Sequence, residues 1–407
     1  MKRIYTQITV AALLLVFIYS NVSARVSQKP AFLSVDSTWV DSVFHSLNTD
    51  QKIAQLFMVA AYSNKDSNHV REIAKLITDY KIGGLIFMQG GPVRQAKLTN
   101  YFQSISKTPL MISIDGEWGL AMRLDSTLSF PKQMTLGAIK SDSLIFEMGR
   151  EVARQCKRIG VTINFAPDID INNNPHNPVI GVRSFGENKF KVTQKGMAYM
   201  KGMQSENVLT TGKHFPGHGD TDADSHFSLP VIDKPRKILD SLELYPFRQL
   251  IENGLSGVMV AHLQVPALQT SRNTPTTLSR NVVTELLREE LGFEGLIFTD
   301  ALNMKGVTKS GKPGDIELRA LKAGNDVLLF SENVKNSIDK IKKAIEDGDL
   351  DSNRVFESCR RILKAKKWMK LDTWKPIKID SIYQDLQNPK ARLLQRRLIE
   401  ASITVLH

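Results

Sequence analysis

The chain has 407 residues, of which 42% are hydrophobic and 24% charged, with a formal net charge of +12. That is ample for a buried core, and the length fits one large domain or two to three smaller ones. The two cysteines exclude a disulfide framework and a structural zinc site built from thiolates.

At the N-terminus, Lys2 and Arg3 precede the apolar run "ITVAALLLVFIYS" and then "NVSA". This is the pattern of an export signal cut after Ala24, so residues 1–24 stand outside the fold. The rival is a membrane anchor, but a run of about 13 residues is short against the ~20 that a spanning helix needs. No cysteine follows the run, so a lipid-modified N-terminus has no support. The expected destination is the periplasm or the extracellular space, with no stable membrane insertion after signal removal.

From about residue 50 to 370, short apolar runs alternate with helical stretches. The runs are "LFMVAAY", "GGLIFMQ", "LMISIDG", "VTINFAPDIDI", "VLTTGKHF", "GVMVAHL", "GLIFTDA" and "NDVLLF". They lack strict alternation, as strands buried on both faces do. Between them, "HVREIAKLITDY" puts Val70, Ile73, Ala74 and Ile77 on one helical face, and "SRNVVTELLREELGF" begins with a serine cap and stops near glycine. Cys156 and Cys359 lie in helix-like text, which favours buried packing over one disulfide. The basic residues concentrate late, in "KNSIDKIKKAIE" and "RRILKAKKWMK", at the spacing of a solvated helix face. Such a surface also attracts anionic polymers such as cell wall; no nucleic-acid motif occurs. After Lys370 a linker-like crossing leads to the helical "KARLLQRRLIEA" and then to "SITVLH", which has the look of a strand beginning.

Eight strands alternating with helices predict an α/β fold of the (β/α)8 barrel type. A doubly wound open sheet is the alternative, but "GGLIFMQGG" has the wrong glycine spacing for a dinucleotide fingerprint. Many runs also end in a polar residue: Asp115, Asp168 and Asp170, Lys213 and His214, His262, Asp300. Barrel enzymes place their chemistry at such strand ends. Each residue alone could be a cap or a loop residue; together they predict a site.

The densest stretch is "KHFPGHGDTDADSH", Lys213 to His226. His214, His218, Asp224 and His226 admit a zinc reading, but Pro216 and Gly217 break any helix face that would aim the first two together. No metal is therefore expected, and His218 is assigned a turn-stabilising hydrogen bond. This stretch resembles the signature of glycoside hydrolase family 3, specifically its β-N-acetylglucosaminidase branch. "ISIDGEWGLAMRL", "NPVIGVRSFG", "VMVAHLQVPAL", "TPTTLSR" and "GLIFTDALNM" also resemble that family, in family order.

The resemblance implies a retaining exo-glycosidase with its catalytic barrel at residues 31–370, acting on terminal N-acetylglucosamine of cell-wall fragments without cofactor. Residues 371–407 read as a linker and the start of a possible second domain, or as a segment that packs on the barrel. By resemblance Asp300 is the nucleophile, His226 the proton donor and then acceptor, and Asp224 the acid that orients it. A retaining mechanism needs groups on both flanks of the sugar carbon, and an imidazole titrates near working pH. The glycines and aspartates around them suggest a loop mobile enough to swing His226 over bound sugar. Asp115, Arg183, Lys213 and His214 would hold sugar hydroxyls, with Arg183 alternatively, or also, ion-paired to Asp170. His262 fits a contact or a supporting place equally. Trp118 departs from the family's glycine pairs and either floors the site or packs at the rim. A β-glucosidase or β-xylosidase of the family, and a barrel that binds wall sugars without cutting, are the alternatives.

Overall fold

The computed structural model describes residues 27–225, 228–269, 271 and 273–404. Eight parallel strands run β1 Phe57–Ala61, β2 Gly84–Phe87, β3 Met111–Ile114, β4 Ile163–Asn164, β5 Leu209–Phe215, β6 Gly257–Val260, β7 Leu296–Thr299 and β8 Leu328–Leu329. They pair in the order β7-β6-β5-β4-β3-β2-β1-β8. β7 and β8 close the ring through a bridge between Phe298 and Val327, with the Thr299 N–H donating to the Val327 carbonyl at 3.0 Å. The fold is a (β/α)8 barrel, and the open-sheet alternative falls. Every expected apolar run supplies one strand.

The strands are buried nearly throughout, which is why they read as continuous apolar text. The interior is filled: the rings of Phe165 and Phe298 meet edge to face at 5.2 Å. Outside, the helices Asp142–Arg158 and Lys189–Gln204 approach closely because glycine stands at both crossings. A Cβ at Gly149 would lie 2.4 Å from the Tyr199 carbonyl oxygen, and one at Gly202 would lie 2.1 Å from that of Phe146.

The amphipathic face expected at 70–77 is present: Ile73 and Ile77 are buried and Val70 and Ala74 pack beside them. Ser279 does not cap as expected. The helical stretch Asn281–Glu290 starts after Arg280, with no side-chain cap, while the Ser279 carbonyl accepts the Val283 N–H. Gly292, at φ 65°, ends the stretch. Both cysteines are free and buried.

Beyond the helix Ser352–Trp368, residues 371–404 lie back along the barrel. Asn100 exchanges two hydrogen bonds with the Ile377 backbone, at 2.8 and 2.9 Å. Arg158 donates to the Lys378 and Asp380 carbonyls and to Asp385. The helix Pro389–Ser402 follows, with Ala391 and Leu398 buried. The strand expected in "SITVLH" is not formed over its described part, because Ser402 ends a helix and Ile403 and Thr404 join no sheet. Residues 405–407 and residues 1–24, read above as an export signal, lie outside the described residues. Among the described residues no helix is long and apolar enough to cross a membrane.

Candidate active site

A cavity of about 480 Å³ opens at the C-terminal ends of the strands, a volume suited to a small ligand. Asp115, Arg183, Lys213, His214 and Asp300 all line it. Tyr62, Met88 and Phe330, just past β1, β2 and β8, complete the wall. Regular strands alternate their side chains, yet the consecutive residues Lys213 and His214 both face this space. The pairing register of β5 with β6 shifts between Gly212 and Phe215, and such irregularities re-aim side chains.

Two carboxylates and three cations form the floor. Asp115 accepts from Lys213 Nζ at 2.9 Å and from Arg123 Nη2 at 2.7 Å. Glu117, fully buried, takes both Arg183 Nε and Nη2, at 3.1 and 2.7 Å, and Lys213 Nζ at 2.9 Å. Burial pushes both acids up, but these cations outweigh it and hold Asp115 well below the usual range and Glu117 at about 2. The partner expected for Arg183, Asp170, is not the one it takes: Glu117 is bidentate to it, and Asp168 stands 3.8 Å away. Glu117 and Arg123 are the site residues missed in the sequence. The signal was in "SIDGEWGLAMR", where a second acid follows Asp115 by two places.

Asp170 supports the other wall. Its Oδ2 accepts His214 Nδ1–H at 2.6 Å and the His214 N–H at 3.1 Å, while Oδ1 accepts the His218 N–H at 2.7 Å. A guanidinium only donates, so the 3.1 Å contact from Arg183 Nη2 makes His214 Nε2 the acceptor and leaves the ring proton on Nδ1. Burial and the neighbouring charge of Asp170 push the Asp168 carboxyl well above its usual range. Its Oδ2 has no hydrogen-bond partner among the described residues.

Asp168, Asp170 and His214 place ligand-type atoms within 4.8 Å of one another. They are already bonded within the network, and Arg183 brings positive charge to the open oxygen. The donor set therefore fits a hydrogen-bond array better than a metal. It is also not the set read from the sequence, since His218 is turned elsewhere and His226 lies outside the described residues.

Asp300 follows β7. Its backbone N–H donates to the Val260 carbonyl, and its Oδ1 accepts the Ala301 N–H at 2.8 Å. Burial pushes this carboxyl up, but the imidazoles of His262 and His214, the Ala301 N–H and Lys213 outweigh it, so it stays below its usual range. Asp300 forms no ion pair among the described residues, unlike Asp115 and Glu117. His262 is fully buried behind it, donating Nε2–H to the Ala301 carbonyl at 3.0 Å, with Nδ1 2.7 Å from Thr277 Oγ1. That is a supporting place outside the cavity lining.

Asp224 is half-buried on the loop after β5, and its carbonyl accepts the Ser228 N–H. It is not among the cavity-lining residues, whereas the adjacent Ser225 is. His218 is buried between Thr221 and Ser225, in the turn-stabilising role read for it. Burial, and then the nearby His214, push its ring down to about 4. Trp118 does not line the cavity; Lys132 Nζ lies 5.4 Å above its ring, so the rim-packing reading is the one observed.

The chain is similar to β-hexosaminidase A of Pseudoalteromonas piscicida, 34% identical over 403 residues, which cover 88% of this chain and 67% of that protein. Among solved structures it resembles a glycoside hydrolase family 3 β-N-acetylglucosaminidase from a Paenibacillus species, with TM-score 0.82, 37% identity and coverage of 88% and 70%. It also resembles the β-glucoside phosphorylase BglX, with TM-score 0.84, 26% identity and coverage of 92% and 69%. Residues 48–365 match the glycosyl hydrolase family 3 N terminal domain, so with its closed barrel and its acid-lined rim cavity the chain belongs to glycosyl hydrolase family 3.

Proposed function

We propose that this glycoside hydrolase removes terminal non-reducing β-linked N-acetylglucosamine, from cell-wall or other amino-sugar fragments, with retention of configuration. The observation that carries the reading is Asp300: a carboxylate kept ionised, facing a cavity of about 480 Å³ with room for a sugar, with no cation paired to it among the described residues. A nucleophile must be ionised and unencumbered; its neighbours Asp115 and Glu117 are ionised but committed to cations. The hexosaminidases among the relatives support the N-acetylated sugar.

In the first step Asp300 forms a bond to the anomeric carbon as the bond to the leaving oxygen breaks, and His226 gives that oxygen its proton. In the second, His226 takes a proton from water, the water oxygen bonds to the anomeric carbon, and the sugar–Asp300 bond breaks. Asp224 orients the imidazole and stabilises it when charged. Asp115 accepts from sugar hydroxyls, and Arg183, Lys213 and the His214 ring contact others. Their positions are set beforehand by the ion pairs, so little reorganisation accompanies binding. The text from Lys2 to Ala24 supports export, which the N-terminal residue of the protein recovered from its native host tests.

A slow fluorinated N-acetylglucosaminide should add the mass of one sugar to the peptide containing Asp300. Asp300→Asn should lower kcat on an aryl β-N-acetylglucosaminide by at least about 1,000-fold. Labelling elsewhere, or a fully active Asp300→Asn variant, would sink the assignment. The likeness to a phosphorylase makes phosphate a rival acceptor. Free sugar rather than sugar 1-phosphate as the product in phosphate buffer decides for water.

A further inference from the structure

The loop that carries Asp224 and the loop that carries Asp300 leave different strands, yet they meet at Ser225. Ser225 is 2% exposed. Its hydroxyl lies 3.2 Å from His218 Nε2, and its carbonyl accepts the Gly306 N–H at 3.1 Å. His218 is fastened in turn: its Nδ1 lies 2.9 Å from Thr221 Oγ1, and its backbone N–H is bound by Asp170 Oδ1. A hydroxyl both donates and accepts, so serine satisfies either tautomer of the ring.

Gly306 stands six residues after Asp300, in the short helix Lys305–Thr308. A Cβ there would lie 2.8 Å from the Ser225 carbonyl oxygen and 3.0 Å from that of Ser228. Both obstacles are backbone, so a side chain at 306 requires the loop after β5 to move outward. The contact is therefore built for close approach from both sides, by a glycine on one loop and a buried serine on the other.

We infer that His218, Ser225 and Gly306 are positioning residues, a clamp that fixes the loop bearing Asp224 against the loop bearing Asp300. The inference rests on the proposed role of Asp224 and His226 as the acid–base pair. Ser225 directly follows Asp224 in the chain, so its place sets where that carboxylate is presented. A proton donor must come within hydrogen-bond reach of the leaving oxygen while the nucleophile holds the other flank. A misplacement of about 1 Å costs on the order of 100-fold in rate.

The test is a series of aryl and alkyl N-acetylglucosaminides, graded from leaving groups that depart unaided to ones that need a proton. Ser225→Ala and Gly306→Ala should lose about 100-fold in kcat/KM on the poorest leaving groups and stay within about threefold on the best. Fluorinated-sugar labelling of Asp300 should proceed at nearly the parental rate. Equal losses across the series, or no loss, would overturn the clamp. Asp224→Ala and His226→Ala, run alongside, separate the two levels. If they too show no dependence on the leaving group, the acid–base reading itself fails. If they steepen it and the clamp variants do not, only the clamp fails.

Discussion

Glu117 shows what a single buried carboxylate does for this site. It lies with no exposed surface between Arg183 and Lys213, and each cation uses it as an anchor. Glu117→Gln keeps the shape but removes the charge, leaving two buried cations one anion short. Breaking such an array from one side costs about 3–5 kcal/mol, measurable by denaturant unfolding, and the loosened Arg183 and Lys213 should raise KM for sugar. The pH dependence follows from the same group. Its folded pKa of about 2 lies below the ordinary glutamate value, so its contribution is fully present above the unfolded pKa and fades as pH falls toward 2. The variant should lack that part of the acid limb; an unchanged acid limb would contradict this account of the ion array. Asp115, Lys213, His214 and Asp300 were legible in the sequence because each ends an apolar run, and a polar residue there has only the rim to go to. Glu117 and the pairing of Arg183 were not. They depend on which loops face one another across the barrel mouth, and no local pattern encodes that.

At the scale of elements, the strands were legible because burial on both faces writes itself as uninterrupted apolar text, even where β4 and β8 pair over only two residues each. The helix Pro389–Ser402 was legible too, in "KARLLQRRLIEA". The docking of residues 371–388 onto the barrel was not, because polar handles share in holding them. Arg158 alone binds two of the segment's carbonyls and one of its carboxylates, at 2.6, 2.6 and 2.7 Å. A stretch whose apolar residues follow no single helix or strand period looks like a linker in sequence, whatever grips its backbone. Arg158→Ala should lower the local opening free energy of residues 377–386 by about 2 kcal/mol. Amide exchange would show it as faster exchange confined to that segment, with kcat unchanged because the segment touches none of the cavity lining. Unaltered exchange there would mean that apolar packing of Ile382 and Leu386, both buried, holds the segment by itself.

The whole molecule divides its charged work between the two ends of the barrel. At the C-terminal rim, buried ions organise the cavity. At the other end they hold the fold: Asp326, just before β8, collects Arg288, Arg354 and Arg361 at 2.8, 3.4 and 2.7 Å. Lys366, fully buried in the helix Ser352–Trp368, departs from this pattern of pairing. Among the described residues it makes one hydrogen bond, 2.6 Å to Gln55 Oε1, and burial pushes its ammonium down to about 7, against an opposing pull from Cys359. Its folded pKa is thus well below the unfolded value near 10.5. Between about pH 7 and 10.5 the unfolded chain binds this proton and the folded chain does not. Stability from this group therefore rises with pH, by about 1.4 kcal/mol per unit, and the full burden of the charge is carried below 7. Lys366→Met removes the titration and leaves only Gln55 Oε1 without its donor, a cost of about 1–3 kcal/mol. The variant should melt higher than the parent at pH 6, and the advantage should shrink steadily and vanish or reverse by pH 10. A melting-temperature difference that stays constant across that range would mean that Lys366 is charged in the fold throughout, stabilised by something other than the Gln55 amide.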